Sequence, residues 1–228
     1  MKKICLLLLS LFICICMHAQ ALSQVSFSNG ADFLWFTIST NQNILIRINA
    51  DGNILEYGIE ERAIYNRNYF AQKLQPYAGK VNYYQNEYDS TLNGKIKNIG
   101  SCFFTYYPGG DYPERAGKIK SAGILVFDYY RKFEDVLLAG RVKKIGFSDI
   151  AYYTSFEQEE FRGKLKTVGA TLITYYSVFD DVVLKGKLKT IGAFRCDWYI
   201  ANNTRQFTGV LKSGVQRQLI NGITYVLQ

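Results

Sequence analysis

A repeat of 23 residues constrains the fold of this chain more than any other feature of its sequence. Two series of glycines keep this interval without insertion. The first series is Gly94, Gly117, Gly140, Gly163, Gly186 and Gly209, and the second is Gly100, Gly123, Gly146, Gly169 and Gly192. Each unit holds two runs of alternating polarity and two turn zones, a length that fits strands of about 5–8 residues and loops of about 2–5. The repeat therefore predicts one β-hairpin per unit.

Alternation along these strands predicts which residues form the apolar face. An aromatic pair ends one strand of each unit, as in Tyr106-Tyr107, and it becomes Trp198-Tyr199 in the fifth unit. The first member of each pair is expected to point inward. The same strand contributes Phe104, Phe127, Ile150, Ile173 and Cys196, and the other contributes Ile96, Ile119, Val142, Leu165, Leu188 and Leu211 together with Leu138, Phe161, Leu184 and Phe207. Phe133, Phe156 and Phe179 lie in the loops and are expected to fold back over the edge of this core.

An apolar face on an open sheet has to be buried, and the repeats hold no segment that predicts a helix. We therefore expect an all-β fold in which residues 94–228 form tandem 23-residue β-hairpin repeats. These should build a curled antiparallel meander, in the form of a single-sheet solenoid, a roll or an open barrel. Residues 22–93 predict an N-terminal β region with a hairpin at Asp51-Gly52 and a shortened repeat at 79–93. This region is expected to be an irregular cap on the array.

Residues 1–21 predict a secretory signal peptide. Lys2 and Lys3 precede an apolar run of 14 residues from Ile4 to Met17, and Ala19-Gln20-Ala21 fits a cleavage site. The run is shorter than the roughly 18 apolar residues of a transmembrane helix. We predict an exported protein of a bacterial periplasm, cell surface or extracellular space, without a transmembrane helix.

Processing at this site limits the chemistry that remains. It removes His18, the only histidine, and it takes 2 of 27 basic residues, so that 25 Lys and Arg face 19 Asp and Glu for a net charge of +6. Cys102 and Cys196 remain and are expected to be buried thiols, because four hairpins should separate them by roughly 38 Å. Phosphate-binding loops, nucleophile elbows and zinc-ligand spacings are absent from the sequence. We therefore predict no catalytic residue, no metal site and no cofactor.

The most regular polar feature is a stripe of cations and tyrosines on the face opposite the core. The first-row cations are Lys95, Lys118, Arg141, Lys164 and Lys187. The second-row lysines are Lys97, Lys120, Lys143, Lys166, Lys189 and Lys212. The second tyrosines, which end each aromatic pair, are Tyr107, Tyr130, Tyr153, Tyr176 and Tyr199. Successive hairpins lie about 9.6 Å apart, so these residues predict a contact surface for an acidic glycan.

A competing interpretation gives these lysines a solubilising role, with their charge partly neutralised by acids at a fixed loop position. Those acids are Asp111, Glu134, Glu157 and Asp180. We expect a non-enzymatic repeat protein that presents an extended β surface to a partner, such as an acidic polysaccharide or another envelope protein. Nucleic acid is not expected, given export. One alternative is a structural or assembly protein acting through sheet-edge pairing. A further alternative is a carboxylate-type glycan hydrolase, which needs two acids from different repeats at roughly 5–9 Å.

Overall fold

Eleven strands of one antiparallel sheet contain the repeats. The computed structural model describes residues 20–28, 30–60, 72–200, 209–212 and 217–227. The strands of this repeat sheet are β6 (Val81–Tyr83), β7 (Ile96–Ile99), β8 (Cys102–Tyr106), β9 (Ile119–Ala122), β10 (Leu125–Tyr129), β11 (Val142–Ile145), β12 (Ser148–Tyr152), β13 (Leu165–Val168), β14 (Thr171–Tyr175), β15 (Leu188–Ile191) and β16 (Phe194–Arg195). They follow one another in chain order, so the sheet is a meander. The prediction of tandem β-hairpins in an open, curled antiparallel meander is confirmed.

The second glycine of each repeat forms the tight turn of its hairpin. From Gly100 to Gly192 these glycines have φ between 54° and 58°, a backbone conformation that residues with a Cβ atom rarely adopt. The turn sets the register, as in Leu125 opposite Ala122. Five repeats therefore place their turns in one line along an edge of the sheet.

A β-bulge in each repeat explains an apolar spacing that strict alternation does not produce. Between β8 and β9, Thr105 faces Ser121 whereas Tyr106 faces Ile119, so one strand carries an extra residue, Lys120. The extra residue shifts the alternation, and Ile119 and Ala122 both point into the core. The same shift recurs in the pairs formed by β10 with β11, β12 with β13 and β14 with β15.

The inward residues largely match the prediction. Phe104, Phe127, Ile150, Ile173 and Cys196 are at most 1 % exposed. Phe207 lies outside the described residues. The expectation for the loop phenylalanines was wrong: Phe133, Phe156 and Phe179 are 86 %, 92 % and 87 % exposed. These side chains lie in solvent, while Leu138 and Leu184, from the loops of Phe133 and Phe179, are buried in the core.

A second sheet, built from both ends of the described chain, was not predicted. The strands of this covering sheet are β1 (Ala21–Ser28), β2 (Asp32–Ser39), β3 (Leu45–Ile48), β4 (Ile54–Ile59), β5 (Gln75–Pro76), β17 (Arg217–Ile220) and β18 (Ile223–Leu227). Their order is β17-β18-β1-β2-β3-β4-β5. β1 and β18 pair in parallel, with Val25 opposite Tyr225. Strands from near both ends of the described residues thus complete a single layer.

The covering sheet packs on the apolar face of the repeat sheet, and the two share one hydrophobic core. Gln20, which precedes β1 and belongs to the predicted cleavage motif, accepts a hydrogen bond from the Ile124 amide at 2.8 Å. Beyond the other end of β1, the Gly30 carbonyl accepts from the Leu188 amide at 2.6 Å. β1 therefore crosses several repeats diagonally. A further contact joins the Ala50 carbonyl to the Val142 amide at 2.7 Å.

The chain passes from one sheet to the other at both ends of the sandwich. β5, at one edge of the covering sheet, is followed by β6, at the neighbouring edge of the repeat sheet. At the opposite end, β16 is the last strand of the repeat sheet and β17 is the outer strand of the covering sheet. A short 3-10 helix, η1 (Ser90–Leu92), lies between β6 and β7. The N-terminal residues therefore cover the repeats as well as precede them.

Candidate functional site

The first-row cations bind neighbouring parts of the fold. The Nζ atom of Lys118 donates to the carbonyl of Gly140, the guanidinium of Arg141 to that of Gly163, and Lys187 to that of Gly209 at 3.0 Å. Each bond joins a cation to the first glycine of the next repeat. Lys164 instead donates to the Ala31 carbonyl at 3.3 Å, and so contacts the covering sheet.

These cations also lie over the inward aromatic ring of their own repeat. The Lys118 Nζ atom is 5.2 Å from the centroid of the Tyr129 ring, and Lys187 is 4.7 Å from that of Trp198. Burial lowers the pKa of Lys118 and of Lys187, with partial opposition from the charges of Asp51 and Asp32 respectively. Lys118, Arg141 and Lys187 therefore hold consecutive repeats together.

The second tyrosines are part of the same framework. The Tyr107 hydroxyl donates to the Phe127 carbonyl at 2.8 Å, twenty residues ahead. The equivalent bonds run from Tyr84 to Phe104, from Tyr130 to Ile150, from Tyr153 to Ile173 and from Tyr176 to Cys196, at 2.8–3.3 Å. Tyr107, Tyr153 and Tyr176 are at most 9 % exposed, Tyr130 is half-buried and Tyr199 is exposed. In the sequence, these tyrosines stand out because the residue recurs at the same position of every unit, from Tyr84 onward.

The inward aromatic residues donate in the opposite direction, to a carbonyl ten residues earlier. The strands of each hairpin pair at only two positions beside their turn, as β9 and β10 do. Beyond those positions Tyr129 donates to the Ile119 carbonyl at 2.9 Å, and the indole of Trp198 to that of Leu188 at 2.7 Å. Burial raises the pKa of Tyr129. Side-chain donors thus link the two strands of the hairpin beyond the positions where their backbones pair.

Tyr152 is the exception, and it provides a test of this role. Its hydroxyl is buried and has no hydrogen-bond partner among the described residues. We expect Tyr129→Phe to lower the free energy of unfolding by about 1–3 kcal/mol, because the Ile119 carbonyl is left without its donor. Tyr152→Phe should leave stability unchanged or raise it. Urea denaturation of the two variants measures the difference, and equal losses would contradict the hydroxyl assignments.

The second-row lysines keep their ammonium groups at the outer surface. The side chains of Lys143, Lys166 and Lys189 are 40 %, 38 % and 36 % exposed. The Nζ atom of each second-row lysine lies 5.0–5.9 Å from the centroid of a tyrosine ring. The structure therefore brings these lysines and the second tyrosines together, with the cation above the ring. One cation per hairpin results, spaced by about 9.6 Å.

Three of these lysines form ion pairs with the loop acids named from the sequence. Lys143 pairs with Glu134, Lys166 with Glu157 at 2.8 Å, and Lys189 with Asp180 at 2.5 Å. The hydrogen bond from Lys189 lowers the pKa of Asp180 to about 2, with further bonds from Ser177. The hydrogen bond that Lys143 donates to Glu134 likewise raises the pKa of Lys143. Asp111 differs, because its carboxylate binds Arg115 at 2.6 Å.

The other loop acids bind backbone amides. Asp135 accepts from the Ser155 amide at 2.9 Å, Asp181 from that of Val183 at 2.7 Å, and Glu160 from that of Val178 at 3.2 Å. These bonds fix the loop conformations and join neighbouring repeats. Asp135, Glu160 and Asp181 thus have structural partners.

Cys102 and Cys196, the two cysteines among the described residues, are free and buried, as predicted. Burial raises the pKa of Cys102 to about 11 and that of Cys196 to about 12, so both thiols stay protonated at neutral pH. Within the described residues, no three His, Cys, Asp or Glu side chains cluster as a metal site would need.

Among the residues described, the structure contains no helix long and apolar enough to cross a membrane. The chain matches no protein-family model, no curated protein and no solved structure.

Proposed function

We propose that this protein is an exported, non-enzymatic repeat protein that presents its repeat sheet to an acidic polysaccharide or a similar anionic envelope polymer. The observation that supports this proposal is the line of second-row lysines, one per hairpin, on the outer face. Regularly spaced cations suit a polymer whose anionic groups also recur. Repeat arrays offer extended surfaces of this kind rather than enclosed pockets.

The two cation rows have different roles, and this difference limits the proposed contact surface to one of them. Three first-row cations, Lys118, Arg141 and Lys187, bind carbonyls of the next repeat, so using them for a ligand would weaken the contacts between repeats. Rings of Tyr107, Tyr153 and Tyr176 are covered. We therefore assign the contact to the ammonium groups of the second row and not to sugar stacking on these three rings.

The ion pairs of Lys143, Lys166 and Lys189 do not prevent such binding. Each pair is partly exposed to solvent, and surface ion pairs contribute only about 0–1 kcal/mol. A polyanion that engages several lysines at once can replace three weak, separate partners. A ligand has to displace the loop acids from these lysines, and an isolated small anion makes too few contacts to do so.

Replacing these three lysines by glutamine tests the proposal. We expect K143Q/K166Q/K189Q to weaken binding to polygalacturonate by roughly 100- to 200-fold at low salt, because three cations near an anionic surface contribute about 1 kcal/mol each. The difference should shrink at about 0.5 M NaCl, where screening is strong. Binding of a neutral glucan should be negligible for both proteins. Titration calorimetry or affinity electrophoresis gives the ratio.

A matched variant separates the row from net charge. K132Q/K144Q/K185Q removes the same number of charges from cations that are exposed but outside the row. It should bind polygalacturonate within about threefold of the wild type. Equal losses in both variants would reduce the effect to net charge, and no binding by the wild type would refute the proposal.

Assembly through sheet edges has less support. The outer strands β5 and β16 are two residues long, β6 has three and β17 has four. Pro76 in β5 also lacks an amide to donate. Such short edges offer few hydrogen bonds to an added strand.

A further inference from the structure

Three loop phenylalanines form an exposed row along one edge of the repeat sheet. Phe133, Phe156 and Phe179 occupy the same position in consecutive repeats and are 86–92 % exposed. Phenylalanine is usually buried, and monomers rarely expose contiguous apolar patches of more than a few hundred Å². These rings do not contribute to the core, so the fold itself does not account for them.

Other apolar side chains in two of the three loops are also exposed. Val136 and Val182 are 71 % and 74 % exposed, and Val183 is 50 % exposed. Val136 follows Phe133 by three residues, and Val182 follows Phe179 by three. We define Phe133, Phe156 and Phe179 as the phenylalanine row. Exposed valines accompany its first and third members, and Glu159 occupies the corresponding position beside the second.

Charges along this edge balance. The three loops, residues 131–139, 154–162 and 177–185, hold four basic and seven acidic residues. Three of the acids pair with Lys143, Lys166 and Lys189, which brings the local sum to zero. A neutral apolar edge neither attracts an anionic surface nor repels a second copy of itself.

We propose that a second copy of this chain docks on the phenylalanine row, with the rings of each copy entering the gaps between the rings of the other. Rings in neighbouring repeats lie about 9.6 Å apart, so interleaved rings would lie about 4.8 Å apart. Aromatic pairs favour centroid distances of about 4.5–7 Å. A partner needs the same period to fill every gap, and a second copy has it. The two rows run antiparallel in a twofold dimer.

The available area suits a dimer of modest affinity. An aromatic side chain buries on the order of 150–250 Å², so three rings supply more than half of the about 800 Å² per partner of a standard interface. The exposed valines beside them add to this area. The row shares no residue with the second-row lysines, so dimerisation leaves the outer sheet face accessible.

Analytical ultracentrifugation of the purified protein over a range of about 1–200 µM tests the proposal. We expect a reversible dimer whose dissociation constant does not rise with salt, since the contact is apolar. F133S/F156S/F179S should weaken it by at least about 100-fold, because aromatic anchors dominate interface energies. A wild type that stays monomeric throughout this range would overturn the proposal.

Phe147 provides the matched control. It is fully exposed, but it follows Gly146 in the turn at the other end of the strands. F147S should dimerise as the wild type does, and a loss equal to that of the triple variant would assign the contact elsewhere. All four rings lie outside the core, so the variants should keep the wild-type circular dichroism and melting curve. A monomeric wild type that binds zwitterionic vesicles through the phenylalanine row would assign that row to lipid and refute self-association.

Discussion

Deleting one internal repeat, residues 148–170, should abolish cooperative folding. The deletion joins Phe147 to Thr171, which occupies the position of Ser148 one repeat later, so the local hairpin pattern is kept. In an open repeat array, deleting one repeat removes only the stability of that repeat and of its interfaces. Here the covering sheet contacts fixed repeats. The deletion would bring Val142 and Leu188 closer by about 9.6 Å, whereas their partners Ala50 and Gly30 belong to a sheet of unchanged width.

Domain stability is only about 5–15 kcal/mol, and the misfit affects a core shared by both sheets. We therefore expect no cooperative urea transition and weak near-UV circular dichroism. A control keeps the repeat number and replaces residues 148–170 with a second copy of residues 171–193. That variant should unfold cooperatively, close to the wild type. Cooperative unfolding of the deletion, with a proportionally smaller m value, would show that the covering sheet is not fixed to particular repeats.

The repeat sheet was predictable because its determinants are local. Gly123 and its equivalents mark turns that require positive φ, and alternation assigns Phe127 and Tyr129 to the core. The β-bulge was harder to predict from the sequence. The spacing of Ile119 and Ala122 indicates an extra residue only once the strand pairing is known.

The covering sheet was not predictable in the same way, because its pairings join distant parts of the chain. Val25 faces Tyr225 across two hundred residues, and alternation indicates a strand without naming its neighbour. The sequence does indicate that the repeats end before the last strands. The second glycine series stops at Gly192, and Val215 stands where the next member would fall.

The candidate site was predictable as a pattern but not in its division of roles. Lys118 and Lys120 flank the same inward residue, Ile119. The bulge directs Lys120 outward, and Lys118 reaches the Gly140 carbonyl. Such a bond depends on the distance between repeats, which sequence alone does not give. The hydroxyl bond from Tyr107 to Phe127 depends on the same distance.

The contact between the two sheets also predicts a large effect for a single methyl group. Gly52, in the turn between β3 and β4, has φ of 81°. A Cβ atom there would overlap the Tyr129 hydroxyl and lie 2.6 Å from its Cε1 atom. Tyr129 is fully buried and bonded to the Ile119 carbonyl, so its ring cannot move aside without losing that bond. We expect Gly52→Ala to lower the free energy of unfolding by about 2–4 kcal/mol, from backbone strain and overpacking together.

Gly222 separates the two contributions to that loss. It lies in the turn between β17 and β18 with φ of 78°, and an added Cβ atom would meet nothing within 4 Å. Gly222→Ala should therefore cost only the strain, about 1–2 kcal/mol. Urea denaturation of both variants gives the difference, which measures how tightly the covering sheet packs on Tyr129. Equal losses of unfolding free energy would mean that the Tyr129 ring moves aside. The two sheets would then pack less closely at this turn than in the structure.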